Sequence, residues 1–479
     1  MSDTVKFKWN DKEIEAKKGS NLLKAALDNG IDVAHYCYHA GLSVAGVCRM
    51  CMVEQNGVPR PFPACNATVN ENIEVRNDTP KIKEAVSATL QFHLLNHPLD
   101  CPVCDQAGEC GLQDNYMLHG KYDSQMTDKK VHKEKVQDIG CDVMLDAERC
   151  ILCSRCVRFT GEVTKSSELG ILNRGDHAEI TVLKELNNDY AQNLVDICPV
   201  GALTSKDFRF KQRVWFLEDV HTTCIGCEVG CSVKVSQNKN GAYRVKPVLD
   251  EAVNGYWMCD DGREIYKHVS SPTRLHSLVA NQQSLFVPAE EASLKEKLKN
   301  KNVKLILSTH LTNEEYRDVF TKIKDLNLAA RVEVALYRSP DVGPIFDGIL
   351  KRGNKNANLK GAIKNFEQFG FDASDDHCKK LMANVKDSDA VLFVLPEMSQ
   401  SLDHLETAVK QISKAALKCA ITPNEEWSFV RTFDFLCPVP TFLEKNGTML
   451  NYQGLERTLV AGMSYGDNSK TVASYLDWV

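Results

Sequence analysis

Apolar and polar residues alternate at the start of the chain on both sides of a two-residue turn. The segment VKFKWNDKEIEA, residues 5–16, carries apolar side chains at alternate positions around Asn10 and Asp11. This pattern predicts a β-hairpin. The next segment, GSNLLKAALDNGI, has the apolar spacing of a helix, and we expect Ser20 to cap its start and Gly30 to close it.

A longer helix is predicted within NDTPKIKEAVSATLQFHLLNHP, residues 77–98. Thr79 is the expected N-cap and Pro80 the first helical residue. Pro98 disfavours helical geometry in the preceding residue, so the helix is expected to end near His97. The predicted buried face consists of Ile82, Val86, Leu90 and Leu94.

The second half of the chain alternates apolar strands with amphipathic helices. VKLILSTHLTNEEYRDVFTKI (303–323) indicates a strand followed by a helix, and DSDAVLFVLPEM (387–398) indicates a buried strand. LETAVKQISKAALKCAIT (405–422) indicates a helix and another strand. This order is typical of an α/β domain.

Composition excludes several classes of protein. The chain has 479 residues, enough for roughly three domains, with ordinary hydrophobic (43%) and charged (25%) contents. Its net charge of −6 argues against nucleic acid binding. The apolar runs are too short to cross a bilayer, and the first ten residues lack a signal core, so neither a membrane span nor secretion is expected.

Cysteine is the unusual component. The chain has 19 cysteines, and 16 of them precede residue 260. In a chain expected to be cytosolic, clustered cysteines indicate metal ligands rather than disulfides. Cys378, Cys419 and Cys437 are scattered, and we expect them to be core thiols.

The first cysteine set follows the predicted hairpin and helix. Its spacing is x10, x2 and x13, and Gly41 and Gly46 in the long loop would let backbone N–H groups approach cluster sulfides. Plant-type ferredoxins have a shorter first gap, x4, before the x2 pair. The β-grasp-like pattern favours a [2Fe–2S] cluster, and zinc is the alternative. The first set is Cys37, Cys48, Cys51 and Cys65.

The second set combines one histidine with three cysteines. Spacings of x3, x2 and x5 make His97 a candidate fourth ligand, although a histidine at a helix end is usually a solvated cap. An imidazole ligand would make a [4Fe–4S] centre less negative than four thiolates do, which favours reduction. The second set is His97, Cys101, Cys104 and Cys110. The histidines without this spacing are not expected to be ligands: His35, His39, His93 and His119.

The third set begins as a bacterial ferredoxin motif and ends differently. The fourth cysteine of that motif is replaced by Thr160, and a Cys-Pro pair follows the third cysteine after 41 intervening residues. The partner run expected for a second cluster would require ligands at Asn188, Ala191 and Leu194, which cannot bind iron, so one cluster is predicted. Cys141 fits no spacing and is expected to be structural. The third set is Cys150, Cys153, Cys156 and Cys198.

The fourth set has spacings of x2, x3 and x27. A zinc ribbon could use the same spacing, but the three sets upstream favour another iron–sulfur cluster. The fourth set is Cys224, Cys227, Cys231 and Cys259.

These sets, in this order, resemble the large iron–sulfur subunits of NADH–quinone oxidoreductases, or respiratory complex I. The resemblance covers about the first 270 residues and includes CPVGALTSKDFRFKQRVW. It implies a [2Fe–2S] cluster at the first set and [4Fe–4S] clusters at the second, third and fourth sets. The fourth matches an extra cluster of some bacterial members, thought to lie off the main electron path.

The resemblance implies an α+β multidomain fold in five parts. These are a β-grasp 2Fe–2S ferredoxin domain (1–78), a His–Cys helical 4Fe–4S module (79–138) and a degenerate bacterial-ferredoxin 4Fe–4S module (139–214), followed by a 4Fe–4S module of the Mo/W bis-MGD type (215–271) and a truncated molybdopterin-oxidoreductase-like α/β domain (272–479). PTFLEKNGTMLNYQGLER resembles the family's last domain, but no Gly-rich pterin cradle is evident, so molybdopterin is not expected.

The implied function is electron relay without a catalytic acid, base or nucleophile. Electrons from NADH would arrive from a flavin subunit, since no dinucleotide fingerprint is evident here. The family order runs from the first set to the third, then the second, then a partner subunit nearer the quinone. Other membrane subunits would translocate protons, and the chain would lie peripherally on the cytoplasmic side of a bacterial inner membrane.

Three alternatives remain at this stage. An iron-only hydrogenase would resemble two full ferredoxin clusters followed by a cysteine-bearing catalytic domain, and a formate dehydrogenase would need an intact molybdenum domain. The cysteine-poor, short second half argues against both. A zinc-stapled scaffold without redox activity is the third, and it would be colourless.

Overall fold

The computed structural model describes residues 4–124, 126–283, 285–398, 402–425, 427–465 and 470–479. The first, second and last of the predicted domains therefore each include residues outside this description. The chain forms two compact units, Met1–Phe216 and Leu217–Val479, and both mix helices with strands. Within the described ranges, no helix has both the length and the apolar content needed to cross a membrane.

The described part of the first unit contains ten short strands and five α-helices. In chain order they are β1 (Thr4–Trp9), β2 (Lys12–Lys17), α1 (Leu22–Asp28), β3 (Met52–Gln55), β4 (Phe62–Pro63), β5 (Glu74–Arg76), α2 (Pro80–Leu94), α3 (Gly111–His119), β6 (Gln137–Asp138), β7 (Val143–Leu145), α4 (Arg155–Glu162), β8 (Leu169–Leu172), β9 (Glu179–Val182), α5 (Asn193–Ile197) and β10 (Leu203–Ser205).

The first unit has a five-stranded sheet in the order β2-β1-β5-β3-β4, and cysteines of the first set lie next to its strands β3 and β4. The predicted hairpin is confirmed: β1 and β2 pair antiparallel, and both turn residues, Asn10 and Asp11, have positive φ. The predicted cap of α1 was wrong. The helix starts one residue later than expected, so Asn21 caps it by accepting from the N–H of Lys24, and the Ser20 hydroxyl donates to the carbonyl of Lys17.

Helix α2 follows the sequence prediction closely. Thr79 caps it by accepting from the N–H of Ile82 at 3.3 Å, and Pro80 is its first residue. Ile82, Val86 and Leu90 are buried, and Leu94 packs against the same cluster half-buried. The helix therefore ends three residues before His97 and packs beside the first set.

The second unit contains the remaining elements. They are β11 (Glu218–Thr223), β12 (Ser232–Asn238), β13 (Gly241–Pro247), α6 (Asp260–Arg263), β14 (Val279–Gln282), β15 (Leu285–Pro288), α7 (Glu291–Leu298), β16 (Val303–Ser308), α8 (Asn313–Asp325), β17 (Val332–Tyr337), α9 (Leu359–Phe369), α10 (Asp375–Ala383), β18 (Ala390–Val394), α11 (Leu402–Gln411), β19 (Leu417–Ile421), β20 (Phe435–Cys437), β21 (Gly447–Leu450) and β22 (Glu456–Leu459).

A seven-stranded sheet organises the end of the chain. Its order is β15-β14-β20-β19-β18-β16-β17, and the five strands from β20 to β17 are parallel. The predicted strands β16, β18 and β19 and the predicted helices α8 and α11 are all present, which confirms the α/β pattern of this region. Helices cover both faces, so the central strands are buried throughout. A separate sheet, β11-β12-β13, carries three cysteines of the fourth set where β11 connects to β12.

Candidate metal centres

The structure brings the four sulfurs of the first set together. Cys37, Cys48 and Cys51 lie on the stretch between α1 and β3, Cys65 follows β4, and none is more than 4% exposed. The Cys37 thiol is within hydrogen-bonding reach of Cys48 and Cys65, and Cys51 is within reach of Cys65. Hydrogen bonds with Cys48 and Cys65 lower the pKa of Cys37, whereas hydrogen bonds with Cys37 and Cys51 raise the pKa of Cys65.

Backbone N–H groups point at this set, as iron–sulfur sites require. The N–H of Tyr36 donates to Sγ of Cys48 at 3.4 Å, and the Val47 and Cys48 N–H groups donate to the Cys37 sulfur. Gly46 has φ +65°, a backbone conformation that favours glycine. The N–H of Gly41 donates to Nδ1 of His39 at 3.1 Å.

Two other nearby histidines also contact the backbone. Nδ1 of His35 lies 2.7 Å from the carbonyl oxygen of Val33, and Nε2 of His93 lies 3.1 Å from that of Cys48. His93 therefore supports the first set's loop from α2.

The second set surrounds a short turn between α2 and α3. Cys104 and Cys110 are buried, whereas Cys101 is exposed. Burial raises the pKa of Cys110, and the Cys104 and Cys101 thiols raise it further, so the three sulfurs lie near one another. Within the described residues, no hydrogen bond joins His97 to these thiols.

The imidazole of His97 has the properties of a neutral ligand. Burial, together with the charges of Lys130 and Arg149, lowers the pKa of His97 to about 4. The ring is therefore uncharged near neutral pH, the form that binds metals. Its Nδ1 atom is buried and has no hydrogen-bond partner among the described residues. A buried polar atom of this kind is costly unless something binds it.

The segment from Cys198 to Gly201 packs against the second set. The Pro199 carbonyl accepts from the N–H of Gly111 at 3.0 Å and lies 3.9 Å from Sγ of Cys110. A Cβ added at Gly201 would lie 2.2 Å from Sγ of Cys104, so only glycine fits there. Because Cys198 belongs to the third set, this short segment joins the third and second sets.

The third set lines one apolar cavity. Its cysteines share that cavity with side chains such as Leu145, Ile151 and Val200. Leu152 and Ser154 have positive φ, and the Leu152 N–H donates to Sγ of Cys150 at 3.4 Å. Burial raises the pKa of Cys198 to about 12, with further contributions from Cys153 and Cys150. The four sulfurs thus face a common space.

A second ferredoxin cluster would need ligands at Asn188, Ala191 and Leu194, and these three residues have structural roles instead. Ala191 and Leu194 are fully buried, and the Asn188 amide donates to the Glu168 carboxylate at 2.7 Å. The Cys141 thiol donates to the carbonyl of Leu186 at 3.3 Å, as expected of a structural thiol.

The fourth set forms a buried group within the second unit. All four cysteines are at most 9% exposed, and the N–H of Cys224 donates to the carbonyl of Cys231 at 2.9 Å. The Gly226 N–H donates to Sγ of Cys224 at 3.4 Å. A Cβ at Gly262 would lie 3.3 Å from Sγ of Cys224 and 3.6 Å from Sγ of Cys259, so these sulfurs approach the same backbone.

The first three sets share one core in the first unit. Cys37, Cys48, Cys110 and Cys153 belong to a single buried cluster, with Cys150 and Cys198 packed against it. The guanidinium of Arg158 in α4 donates to the carbonyls of Cys37 and Ser43. These contacts tie the helix that carries Cys156 to the loop that carries Cys37.

Sequence motifs did not identify several of these contacts. Three residues lie close to cysteines that are distant from them in sequence: Gly201, Arg158 and Lys355, a buried lysine beside the fourth set.

Across the described ranges, no three His, Cys, Asp or Glu side chains are arranged to hold a single metal ion.

Models of four domain families match consecutive parts of the chain. They are described as a 2Fe-2S iron-sulfur cluster binding domain (residues 2–80), the NADH-ubiquinone oxidoreductase-G iron-sulfur binding region (87–125), the ferredoxin-like domain of NADH-quinone oxidoreductase subunit 3 (140–204) and the molybdopterin oxidoreductase Fe4S4 domain (217–271).

Curated relatives match the same region. An NADH-quinone oxidoreductase subunit of Rickettsia conorii is 37% identical over 266 residues, which cover 55% of this chain and 39% of that protein. The NADH-ubiquinone oxidoreductase 75 kDa subunit of Reclinomonas americana is 40% identical over 257 residues, covering 53% of this chain and 37% of that protein. The matched part thus spans about two fifths of the relatives' length.

A solved structure, an NAD+-reducing [NiFe]-hydrogenase in the H2-reduced state, aligns with 26% identity and a TM-score of 0.41, covering 44% of this chain and 91% of that chain. A TM-score of that size supports no conclusion about function. The domain families and the relatives agree on the first part of the chain. Residues 2–271 are therefore similar in sequence to part of the NADH–quinone oxidoreductase subunits that these relatives represent.

Proposed function

We propose that this chain is an iron–sulfur electron-transfer subunit of an NADH–quinone oxidoreductase of the complex I type. In this proposal it relays electrons from a flavin-containing, NADH-binding subunit toward quinone, and the whole complex couples this transfer to proton translocation. Its partners are the flavin subunit and other peripheral-arm subunits. It lies peripherally on the cytoplasmic side of a bacterial inner membrane. The sequence similarity of residues 2–271 to part of NADH–quinone oxidoreductase subunits supports this assignment.

The proposed ligands are the members of the four sets. The first set would hold a [2Fe–2S] cluster, and each of the others a [4Fe–4S] cluster. Bound clusters would supply the one-electron chemistry, and the protein supplies binding, orientation and electrostatics. Burial of most of the thiols, backbone N–H donors to sulfur and the unpartnered Nδ1 of His97 all fit such groups.

One observation carries the proposal: the first, third and second sets are physically continuous. Arg158 joins the third set's helix to the backbone at Cys37, and Pro199 joins the third set to Cys110. Tyr36 adds a direct path, since its N–H donates to Sγ of Cys48, and since burial and then the nearby Cys110 thiol raise the pKa of its phenol. An electron relay requires adjacent centres, whereas independent structural zinc sites do not have to be adjacent.

We further propose the five domains predicted above, with boundaries after residues 78, 138, 214 and 271. The four family matches, at 2–80, 87–125, 140–204 and 217–271, support this division, because each of the first four proposed domains holds one match, the first of which extends two residues beyond residue 78. The break between the two compact units, after Phe216, also supports the third boundary.

We propose that the last domain binds no molybdopterin. In parallel sheets, ligands usually bind at the carboxyl ends of strands near a switch in strand order, here beside β16 and β18. Side chains of this chain fill that position. The Glu397 carboxylate accepts from the N–H of Phe442 at 2.6 Å and lies 2.8 Å from Nε2 of His268, and all three residues are buried.

Metal analysis of the full-length chain, purified without oxygen, tests the function. We expect a brown protein with about fourteen irons and matching acid-labile sulfide, from one binuclear and three tetranuclear centres. Cys153→Ser should remove about four irons, whereas Cys141→Ala, the matched control, should remove none. A colourless protein that contains zinc in place of iron would overturn the proposal.

A further inference from the structure

A segment of the last domain packs directly against the fourth set. The N–H of Glu228, next to Cys227, donates to the carbonyl of Asn354 at 3.1 Å. The Arg352 guanidinium lies 2.6 Å from the Glu228 carboxylate, and the backbone N–H of Arg352 donates to the Cys227 sulfur. The segment 351–355 therefore covers the set from outside the sequence motif.

Lys355 brings a buried positive charge to this set. The residue is buried, and its Nζ lies 3.5 Å from the carboxylate of Asp261, two residues beyond Cys259. Lys351 lies 3.0 Å from the same carboxylate. Two ammonium groups therefore face one carboxylate near Cys259.

Lys355 lies close to the fourth set on two sides. The carbonyl of the preceding residue, Asn354, accepts from the N–H next to Cys227, and Asp261, which Lys355 faces, lies two residues beyond Cys259. The Lys355 side chain is 6% exposed, whereas that of Lys351 is 22% exposed. The ammonium group of Lys355 is thus better shielded from water than that of Lys351.

A buried charge acts strongly on a cluster because water and salt screen it poorly. A [4Fe–4S] centre with four thiolates becomes more negative when it gains an electron. A nearby ammonium group therefore favours the reduced state, and a nearby carboxylate disfavours it. Such a residue contacts no substrate, and its effect is on the reduction potential of the cluster.

We propose that Lys355 is a positioning residue that raises the reduction potential of the fourth-set cluster, and that the segment 351–355 is the means by which the last domain controls this centre. This inference rests on the proposed function, because it requires a cluster at the fourth set. It gives the last domain an electrostatic role that needs no cofactor of its own.

The test is an EPR-monitored redox titration of the full-length chain and three variants. Lys355→Met should lower the reduced-to-oxidised ratio of the fourth-set cluster about tenfold at a fixed potential, a midpoint shift of about 59 mV. Asp261→Asn should shift the midpoint upward. Lys351→Met, the matched control, should shift it less than Lys355→Met. The midpoints of the other three clusters should not move in any variant.

The outcomes separate this inference from the function on which it rests. If the unmodified chain has no fourth-set signal, the proposed cluster fails. If the signal is present and neither Lys355→Met nor Asp261→Asn moves it in the stated direction, the role of Lys355 fails. If Lys355→Met loses the cluster, Asp261→Asn decides the question alone. Loss of the cluster in both variants would overturn the tuning role, because the charges would then hold the site together.

Discussion

The guanidinium of Arg158 donates a hydrogen bond to the backbone carbonyl of Cys37, 121 residues earlier in the chain. A second bond from the same group reaches the carbonyl of Ser43. One side chain on α4 thereby fixes the loop that carries the first cysteine of the first set. Adjacent centres in a relay depend on contacts of this kind, because local sequence can build each set but cannot place two sets together.

We expect Arg158→Leu to weaken the first set without removing any ligand. Two carbonyls would lose a charged donor, which costs about 1–3 kcal/mol. The visible signal of the [2Fe–2S] cluster should therefore disappear at a lower guanidinium concentration. Arg174→Leu, on the exposed turn after β8, is the control and should have no such effect. Equal denaturation curves for both variants would contradict the structural role of Arg158.

His97→Cys should lower the midpoint potential of the second-set cluster. A fourth thiolate adds one negative charge relative to a neutral imidazole, which disfavours the added electron. Redox titration followed by EPR measures this directly. His119→Ala, near the end of α3, is the control. An unchanged midpoint in His97→Cys would mean that the imidazole is not on iron.

Gly201→Ala should disrupt the second set selectively. The added Cβ would lie 2.2 Å from Sγ of Cys104, too close for any real contact, so the sulfur or the backbone must move. We expect loss of the second-set EPR signal while the first-set signal remains. Gly161→Ala in α4 is the matched control, because nothing lies within 4 Å of its added Cβ. Retention of all signals in Gly201→Ala would refute the close packing at Cys104.

The last domain should lose stability in acid through His310. Burial is the main reason that the pKa of His310 is lowered to about 4; Lys445 and His268 lower it further, and Glu397 opposes them. An unfolded histidine titrates near 6.5. Between these values the unfolded chain binds a proton that the folded chain does not, so stability is complete above pH 6.5 and falls toward pH 4.

The expected loss over that range is at most about 3 kcal/mol. His310→Gln should therefore flatten the dependence of the denaturation midpoint on pH between 6.5 and 4. His404→Gln, whose side chain is exposed in α11, should leave it unchanged. The same pH dependence in all three proteins would show that His310 is not the responsible group.

Local patterns predicted the elements of this chain well, because turn and cap chemistry acts over a few residues. The Asn10–Asp11 turn and the Thr79–Pro80 helix start lie where the sequence placed them. The cap of α1 was misassigned by one residue, since Ser20 and Asn21 are both good caps and packing chooses between them.

Cysteine spacing predicts candidate ligand sets, since ligands on one loop or helix turn have fixed separations. Spacing could not predict Arg158, Gly201 or Lys355, which reach their sets from more than 90 residues away in sequence. Such residues depend on how separate modules pack, and a single sequence carries no periodic signal for that.

The most direct test of the whole account is the EPR spectrum of the anaerobically reduced, full-length chain. We predict paramagnetic signals from one binuclear and several tetranuclear iron–sulfur centres, with one tetranuclear signal altered by His97→Cys alone. A reduced chain without any iron–sulfur signal, or a spectrum that His97→Cys leaves untouched, would contradict the assignment of these residues to an electron relay.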